Sequence, residues 1–286
     1  MSSGADHHHG GDLLVVEHAS FSYLERFAAL DDVSFTVRRG EKVALLGANG
    51  CGKSTLLKLL DGLVFPDAGT YTAFGAAVTE DSLEDEQFSR AFRSRVGFVF
   101  QNSDAQVFSP TVREEVAFGP LNMGMTHAEV GARVADTLAM LDIEDLAERA
   151  PFQLSGGQKK RVAIASVLVM NPEVLIFDEP TAALDPRTQQ WLTELIVELN
   201  RAGKTIIIAT HDLPSLEQLA DRCVVFDEQH RIVAEGTPAE ILANTDLLLD
   251  VNLIHAHSHV HLVEGPDGRL GEVMHTHTHA EGHHTV

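Results

Sequence analysis

A chain of 286 residues with 44% apolar side chains can bury one large α/β domain, an inserted subdomain and a small appendix. Its 42 acidic against 21 basic residues give a formal charge of −21, which opposes nucleic acid as a partner, and two cysteines leave no disulfide framework, as expected of a cytosolic chain. No run approaches the roughly 18 apolar residues of a membrane span, and the first residues lack an apolar signal core.

Residues 1–11 form a tail that holds His7-His8-His9, and from residue 12 to about 45 alternation predicts strands of an antiparallel layer turning at Arg38-Arg39-Gly40-Glu41. The apolar run Val43-Ala44-Leu45-Leu46 reads as a buried strand and Ser54 to Leu60 as a helix. Between them, Gly47-Ala48-Asn49-Gly50-Cys51-Gly52-Lys53-Ser54 fits G-x-x-x-x-G-K-[ST]. In that pattern glycines free backbone N–H groups to face phosphate oxygens, Lys53 adds a charge, and the helix start favours anions. The position of Cys51 at that helix start predicts a lowered thiol pKa, hence inhibition by alkylating reagents.

The strand Val96-Gly97-Phe98-Val99-Phe100 ends at Gln101. Residues 102–154 then change character: Thr111 to Phe118, His127 to Leu141 and Ile143 to Arg149 carry helical spacing, broken by Gly119-Pro120 and Ala150-Pro151. In Leu154-Ser155-Gly156-Gly157-Gln158, Ser155 can cap a helix from Gln158 to Met170, and Gly156 and Gly157 let the backbone approach a phosphate. Lys159-Lys160-Arg161 lies in its first turns, serving either phosphates and a neighbouring chain or a solvated face. The strand Val174 to Phe177 ends in Asp178-Glu179, suited to holding Mg²⁺ with Ser54 and to polarising an attacking water. Asp185 follows, and the strand Thr205 to Thr210 ends at His211. Each of these polar groups stands where a doubly wound sheet presents its ligand edge.

The order of these motifs resembles the ATP-binding cassette ATPases over residues 12 to 240, and Val99 to Phe108 together with Gln158 to Ala163 resembles their energy-coupling factor branch, in particular the ATP-binding subunits of cobalt and nickel importers. The resemblance implies an α/β fold: a P-loop NTPase core with a mostly parallel sheet, an N-terminal antiparallel β layer and an inserted helical subdomain. It implies that Tyr23 stacks on adenine, that the loop from Gly47 through Asn49, Gly50, Cys51, Gly52, Lys53, Ser54 and Thr55 holds the phosphates, and that Gln101 senses Mg²⁺ and a membrane partner. Ser155, Gly156, Gly157 and Gln158 would close over a partner's γ-phosphate, with Asp185 as the cross-dimer loop acid. Glu179 and His211 would serve hydrolysis. It further implies ATP and Mg²⁺, a second copy of the chain, a transmembrane coupling subunit and a substrate-binding membrane subunit, at the cytoplasmic face of the cell membrane. Other readings keep the cassette for a vitamin or amino-acid importer or for a soluble mechanical ATPase, or take the chain as a metal-storage protein.

Nine of the 16 histidines fall in the last 32 residues. His255, His257, His259 and His261 alternate along one arm and His275, His277 and His279 along another, with the turn-rich Glu264-Gly265-Pro266-Asp267-Gly268 between them. Alternate residues share one strand face, and imidazole suits Ni, Co, Cu and Zn. The pattern predicts that residues 251–286, appended to a cassette domain of residues 12–250, form a metal-binding hairpin with His259 opposite His275, His257 opposite His277 and His255 opposite His279, the alternative being a disordered tail that binds metal weakly.

Overall fold

The computed structural model describes the backbone of residues 11–264 and 270–280, with side chains as far as Ile254; His7, His8, His9, the turn Gly265-Pro266-Asp267-Gly268, His283 and His284 lie outside the described residues. Strands β1 (Asp12–Tyr23) and β2 (Phe27–Arg38) pair antiparallel. After β3 (Lys42–Leu46) and a helix (Lys53–Leu60), β4 (Ala68–Ala73) joins the other edge of β1 and carries the short β5 (Ala76–Ala77) outside it. This sheet turns Leu14, Val16, Val33, Phe35 and Val37 inward. The helix Lys53–Leu60 buries Leu56, Leu57, Leu59 and Leu60 together, because it lies in one core shared by this sheet and the second one.

The second sheet adds β6 (Val96–Val99), β7 (Val174–Asp178), β8 (Thr205–Ala209), β9 (Arg222–Phe226) and β10 (Ile232–Gly236), in the order β10-β9-β3-β8-β7-β6. All neighbours run parallel except β10, the antiparallel edge. Every residue of β7 and β8 is buried, as continuous apolar runs become when both faces of a parallel sheet are covered. The chain leaves β3, reaches the far edge at β6 and returns through β7 and β8. The carboxyl ends of β3, β6, β7 and β8 therefore deliver the phosphate loop, Gln101, the carboxylate pair and His211 to one side.

Helices Val112–Asn122 and His127–Met140 and short 3₁₀ turns at Glu144–Leu146 and Pro151–Gln153 make up the insertion. They share a core with the helices Gly156–Leu168 and Pro186–Arg201 against the other face of the sheet. The break expected at Gly119-Pro120 does not occur. Pro120 deletes one N–H from the helix, but its fixed φ suits the conformation, and Met123 N still donates to Gly119 O at 3.1 Å. Conversely, the helical spacing of Ile143 to Arg149 yields only the single 3₁₀ turn.

After β10, helices Pro238–Ala243 and Thr245–Asp250 lead to Val251 and Leu253, which are 2% and 4% exposed in a third core with Leu46, Leu213 and Leu216. Strands β11 (Ile254–Glu264) and β12 (Leu270–Ala280) then pair antiparallel in the register expected from the sequence, with His255, His257 and His259 opposite His279, His277 and His275. Among the described residues no helix is long and apolar enough to cross a membrane.

Candidate active site

The loop after β3 is shaped by two glycines that no other residue could replace without movement. Gly52 has φ +115°, and a Cβ there would stand 2.4 Å from Ala29 O; at Gly47, φ +142°, it would meet Cys51 Sγ at 2.7 Å and Phe226 O at 2.8 Å. Lys53 is 5% exposed and donates to the loop's own carbonyls, Gly47 O at 2.6 Å and Ala48 O at 3.0 Å, so the ammonium is held over the concave side of the loop. Beside it Ser54 Oγ donates to Asp178 Oδ1 at 2.9 Å, and burial raises the Asp178 carboxyl above its ordinary range.

Glu179 follows β7 in a left-handed conformation, φ +43°, that is uncommon outside glycine. Its amide donates to Ala209 O at 2.9 Å, fixing the turn against the end of β8. His211 Nδ1 lies 2.8 Å from Glu179 Oε2, a separation short enough for an ion pair but without hydrogen-bond alignment; both Glu179 carboxylate oxygens are buried with no hydrogen-bonding partner. Such oxygens need a donor or a cation, which a water molecule or a nearby Mg²⁺ would supply. The Glu179 carboxylate raises the His211 imidazole above its ordinary value. The donor set of Ser54 and Asp178, all oxygen, suits a hard divalent cation such as Mg²⁺.

A cleft of about 370 Å³ opens beside Lys53, Ser54, Glu179 and His211. Its lining includes Tyr23, Asn49, Gly50, Lys53, Ser54 and Thr55 together with Gln101, Glu179 and His211. Tyr23 is 37% exposed and its hydroxyl lies 3.4 Å from Thr55 Oγ1.

The other predicted nucleotide residues are elsewhere. Ser155 caps the helix Gly156–Leu168 in a reciprocal box: its amide donates to Gln158 Oε1 at 3.0 Å and Gln158 N donates back to Ser155 Oγ at 3.4 Å. Asp185 caps the helix Pro186–Arg201, accepting from the Arg187 and Thr188 amides at 3.1 Å each, and the Thr188 hydroxyl holds its second oxygen at 2.6 Å. These hydrogen bonds hold the Asp185 carboxyl below its usual range. A Cβ on Gly157 would stand 2.9 Å from Thr188 Oγ1, so the two helix starts pack directly. Ser155, Gly157, Gln158 and Asp185 line a separate cleft of about 610 Å³ with Arg161 and Trp191.

Two expectations fail here. Cys51 is 2% exposed, and burial, opposed by the nearby Lys53 charge, raises its thiol pKa: desolvation outweighs the helix start. Within the run Lys159-Lys160-Arg161, the buried Lys160 faces neither phosphate nor solvent. Lys160 is 2% exposed and donates to Phe100 O at 3.0 Å and Gln101 O at 3.3 Å, Lys159 pairs with Asp104, and Arg161 stacks on Trp191, 4.2 Å from the ring centre, while donating to Leu141 O. Burial pushes Lys160 down to about 8. Gln106 completes the seam, accepting from Phe100 N at 3.0 Å and donating to Ala163 O at 3.1 Å. Gln106 was not singled out from the sequence, and Lys160 was read only as one member of a basic run. The available signal was spacing: Lys160 precedes Ala163, Ile164 and Leu168 at helical intervals and so stands on the buried stripe.

Comparison with known proteins agrees with this geometry. A family model described as ABC transporter matches residues 30–182. The chain is 52% identical over 254 residues to a Methanosarcina acetivorans protein named as an ABC transporter ATP-binding protein, covering 88% of this chain and 92% of that one. It is 48% identical over 229 residues to the nickel import ATP-binding protein NikO of Rhodobacter capsulatus, covering 79% and 90%. Among solved structures, cbiO1 from Clostridium perfringens, described as part of the ABC transporter complex cbiONQ, matches with TM-score 0.72 and 38% identity over 85% of this chain and 95% of that one.

Proposed function

The chain belongs to the ABC transporter family and is an ATPase of that family, and from this premise we propose that it powers a membrane importer for nickel or cobalt ions, as a homodimer seated on the cytoplasmic face of the membrane. The observation that carries the dimer is the division of the site: the cleft with Lys53 and Glu179 and the face with Ser155 and Asp185 belong to one chain but do not meet in it. Two copies arranged head to tail bring each cleft against the other copy's face.

In each composite site Tyr23 stacks on the adenine, the backbone from Gly47 to Thr55 and the Lys53 ammonium hold the phosphates, and the helix start at Ser155 to Gln158 directs its amides to the γ-phosphate from across the interface. Ser54, Asp178 and Gln101 hold Mg²⁺, which when bound neutralises charge on the phosphate oxygens. Glu179 accepts a proton from the attacking water, and His211 orients that water and contacts the γ-phosphate. Closure reaches the transmembrane coupling subunit through Gln101 and the insertion, where Phe108 and Phe118 stack edge to face and stay exposed at 68% and 48%. A substrate-binding membrane subunit completes the complex, and the His-rich segment after residue 250 binds the same metals as the cargo.

The cargo assignment is supported by the likeness to a nickel import subunit together with the clustering of imidazole at one end of the chain. Uptake of Ni²⁺ and Co²⁺ by cells making the whole complex tests it. Accumulation lost with Lys53→Ala and Glu179→Gln is expected; accumulation unchanged by either substitution removes the transport role.

A further inference from the structure

The hairpin β11–β12 pairs eleven positions, and its register is selective. Three histidines meet three histidines, while the positions between them pair Ala256 with Thr278 and Ser258 with Thr276, and Val260 pairs with Met274 just beyond. Because alternate residues share a face, all three histidine pairs fall on one side of the ribbon. His261 stands opposite Val273 and ends the series.

Distances inherent in a sheet limit what such a ladder can hold. Opposite Cβ atoms lie about 5 Å apart, and neighbouring pairs on one face about 7 Å apart along the strand, so two neighbouring pairs can converge on one ion. The two end pairs are separated by about 14 Å and cannot. We propose that two neighbouring pairs of this ladder form a four-imidazole site for a late first-row divalent cation, Ni²⁺ or Co²⁺, with His257 and His277 common to both ways of building it. The proposal rests on the metal-binding reading of this segment given above and adds its register, ligand set and stoichiometry of one ion per hairpin. A two-stranded ribbon is marginal in water, so the ion and the strand pairing stabilise each other. The ribbon is fixed at its root, where Val251 and Leu253 sit in a core with Leu46 and Leu213, next to the phosphate loop and the His211 loop.

The test uses tag-free full-length protein and three double variants, His255→Thr/His279→Thr, His257→Thr/His277→Thr and His259→Thr/His275→Thr. Each removes two imidazoles and keeps a residue suited to strands. Ni²⁺ affinity is measured by calorimetry, and Co²⁺ coordination by the visible absorption of the bound ion. Losing the central pair is expected to weaken Ni²⁺ binding by about tenfold or more and to alter the Co²⁺ spectrum, while losing either end pair changes affinity by less than about threefold. Equal losses in all three variants would mean that affinity follows histidine number and not register, and would overturn the ladder. So would binding abolished only by replacing His283 and His284. Lys53→Ala keeps full Ni²⁺ affinity if the site is independent of nucleotide, so an inactive transporter with an intact ladder separates failure of the cargo reading from failure of this one.

Discussion

The two clefts of this chain differ most in how far their polar groups are satisfied. Around Ser155 and Asp185 every capping oxygen has its partner within the same helix start, and the two starts pack through Gly157 and Thr188. In the nucleotide cleft the Glu179 oxygens have no hydrogen-bonding partner, Lys53 rests on its own loop, and the Glu179 backbone is left-handed. The first surface has its side-chain oxygens satisfied and keeps only the amides of a first helical turn as donors; the second keeps buried carboxylate oxygens without a donor. Satisfied caps on one side and orphaned carboxylate oxygens on the other fit the two halves of the composite site proposed above.

Mixing experiments break this division most severely. Lys53→Ala disables the cleft and Ser155→Arg disables the opposing face, so each homodimer should be inactive. A mixture pairs the intact cleft of one variant with the intact face of the other. With random pairing half the dimers carry one competent site, and ATPase activity should recover to about a quarter of the unmodified value. A mixture as inactive as its components would refute the cross-chain site.

Within the cleft, Glu179→Gln removes the proton acceptor and should lower the ATP hydrolysis rate by about 10²–10⁴-fold, measured by phosphate release, with nucleotide affinity little changed. A smaller effect is expected at the seam between the Gln101 loop and the helix Gly156–Leu168. Lys160→Met leaves two carbonyls without their donor and should destabilise the fold by about 1–3 kcal/mol, visible in thermal unfolding. Uptake should fall further than hydrolysis does, because the loop that couples the two is loosened.

Cys51 offers a chemical contrast with its neighbour. A buried thiol of raised pKa should react slowly with maleimides near neutral pH even without nucleotide, and mass spectrometry of the peptide reads the extent directly. Rapid modification would show that the phosphate loop opens far more than this packing allows. The smallest effect is a shift in titration. Because His211 is raised above 6.5 by Glu179, its pair contributes fully below the unfolded imidazole value and fades as pH rises through the folded one. Ring resonances followed by NMR should titrate above the ordinary value, and Glu179→Gln should move the midpoint down.

The residues that could be read in advance are those fixed by short-range spacing. The phosphate loop, the Asp178-Glu179 pair and the capped glycines after Leu154 follow from short contiguous patterns, and the hairpin register from one alternating pattern on either side of a single turn, so local chemistry specifies them. The positions misread were those where burial decides. Cys51 follows a helix-start argument until desolvation is added, and Lys160 is cationic in a place that only the arrival of the Gln101 loop makes polar. Motif order also places Ser155 to Gln158 close behind the insertion and ahead of Asp178, yet the sheet puts Asp178 beside Ser54 at the phosphate loop and leaves the capped helix start on a separate cleft. Connectivity in three dimensions, which no spacing rule carries, separates them.

The packing of Val251 and Leu253 has a practical corollary for anyone wishing to remove the histidine arms. A truncation that stops at Asp250 takes two plugs out of the hydrophobic patch beneath Leu46 and Leu213, and any lost turnover would then reflect a leaking core. Cutting after Leu253 leaves those plugs in place and makes the shortened enzyme a fair control.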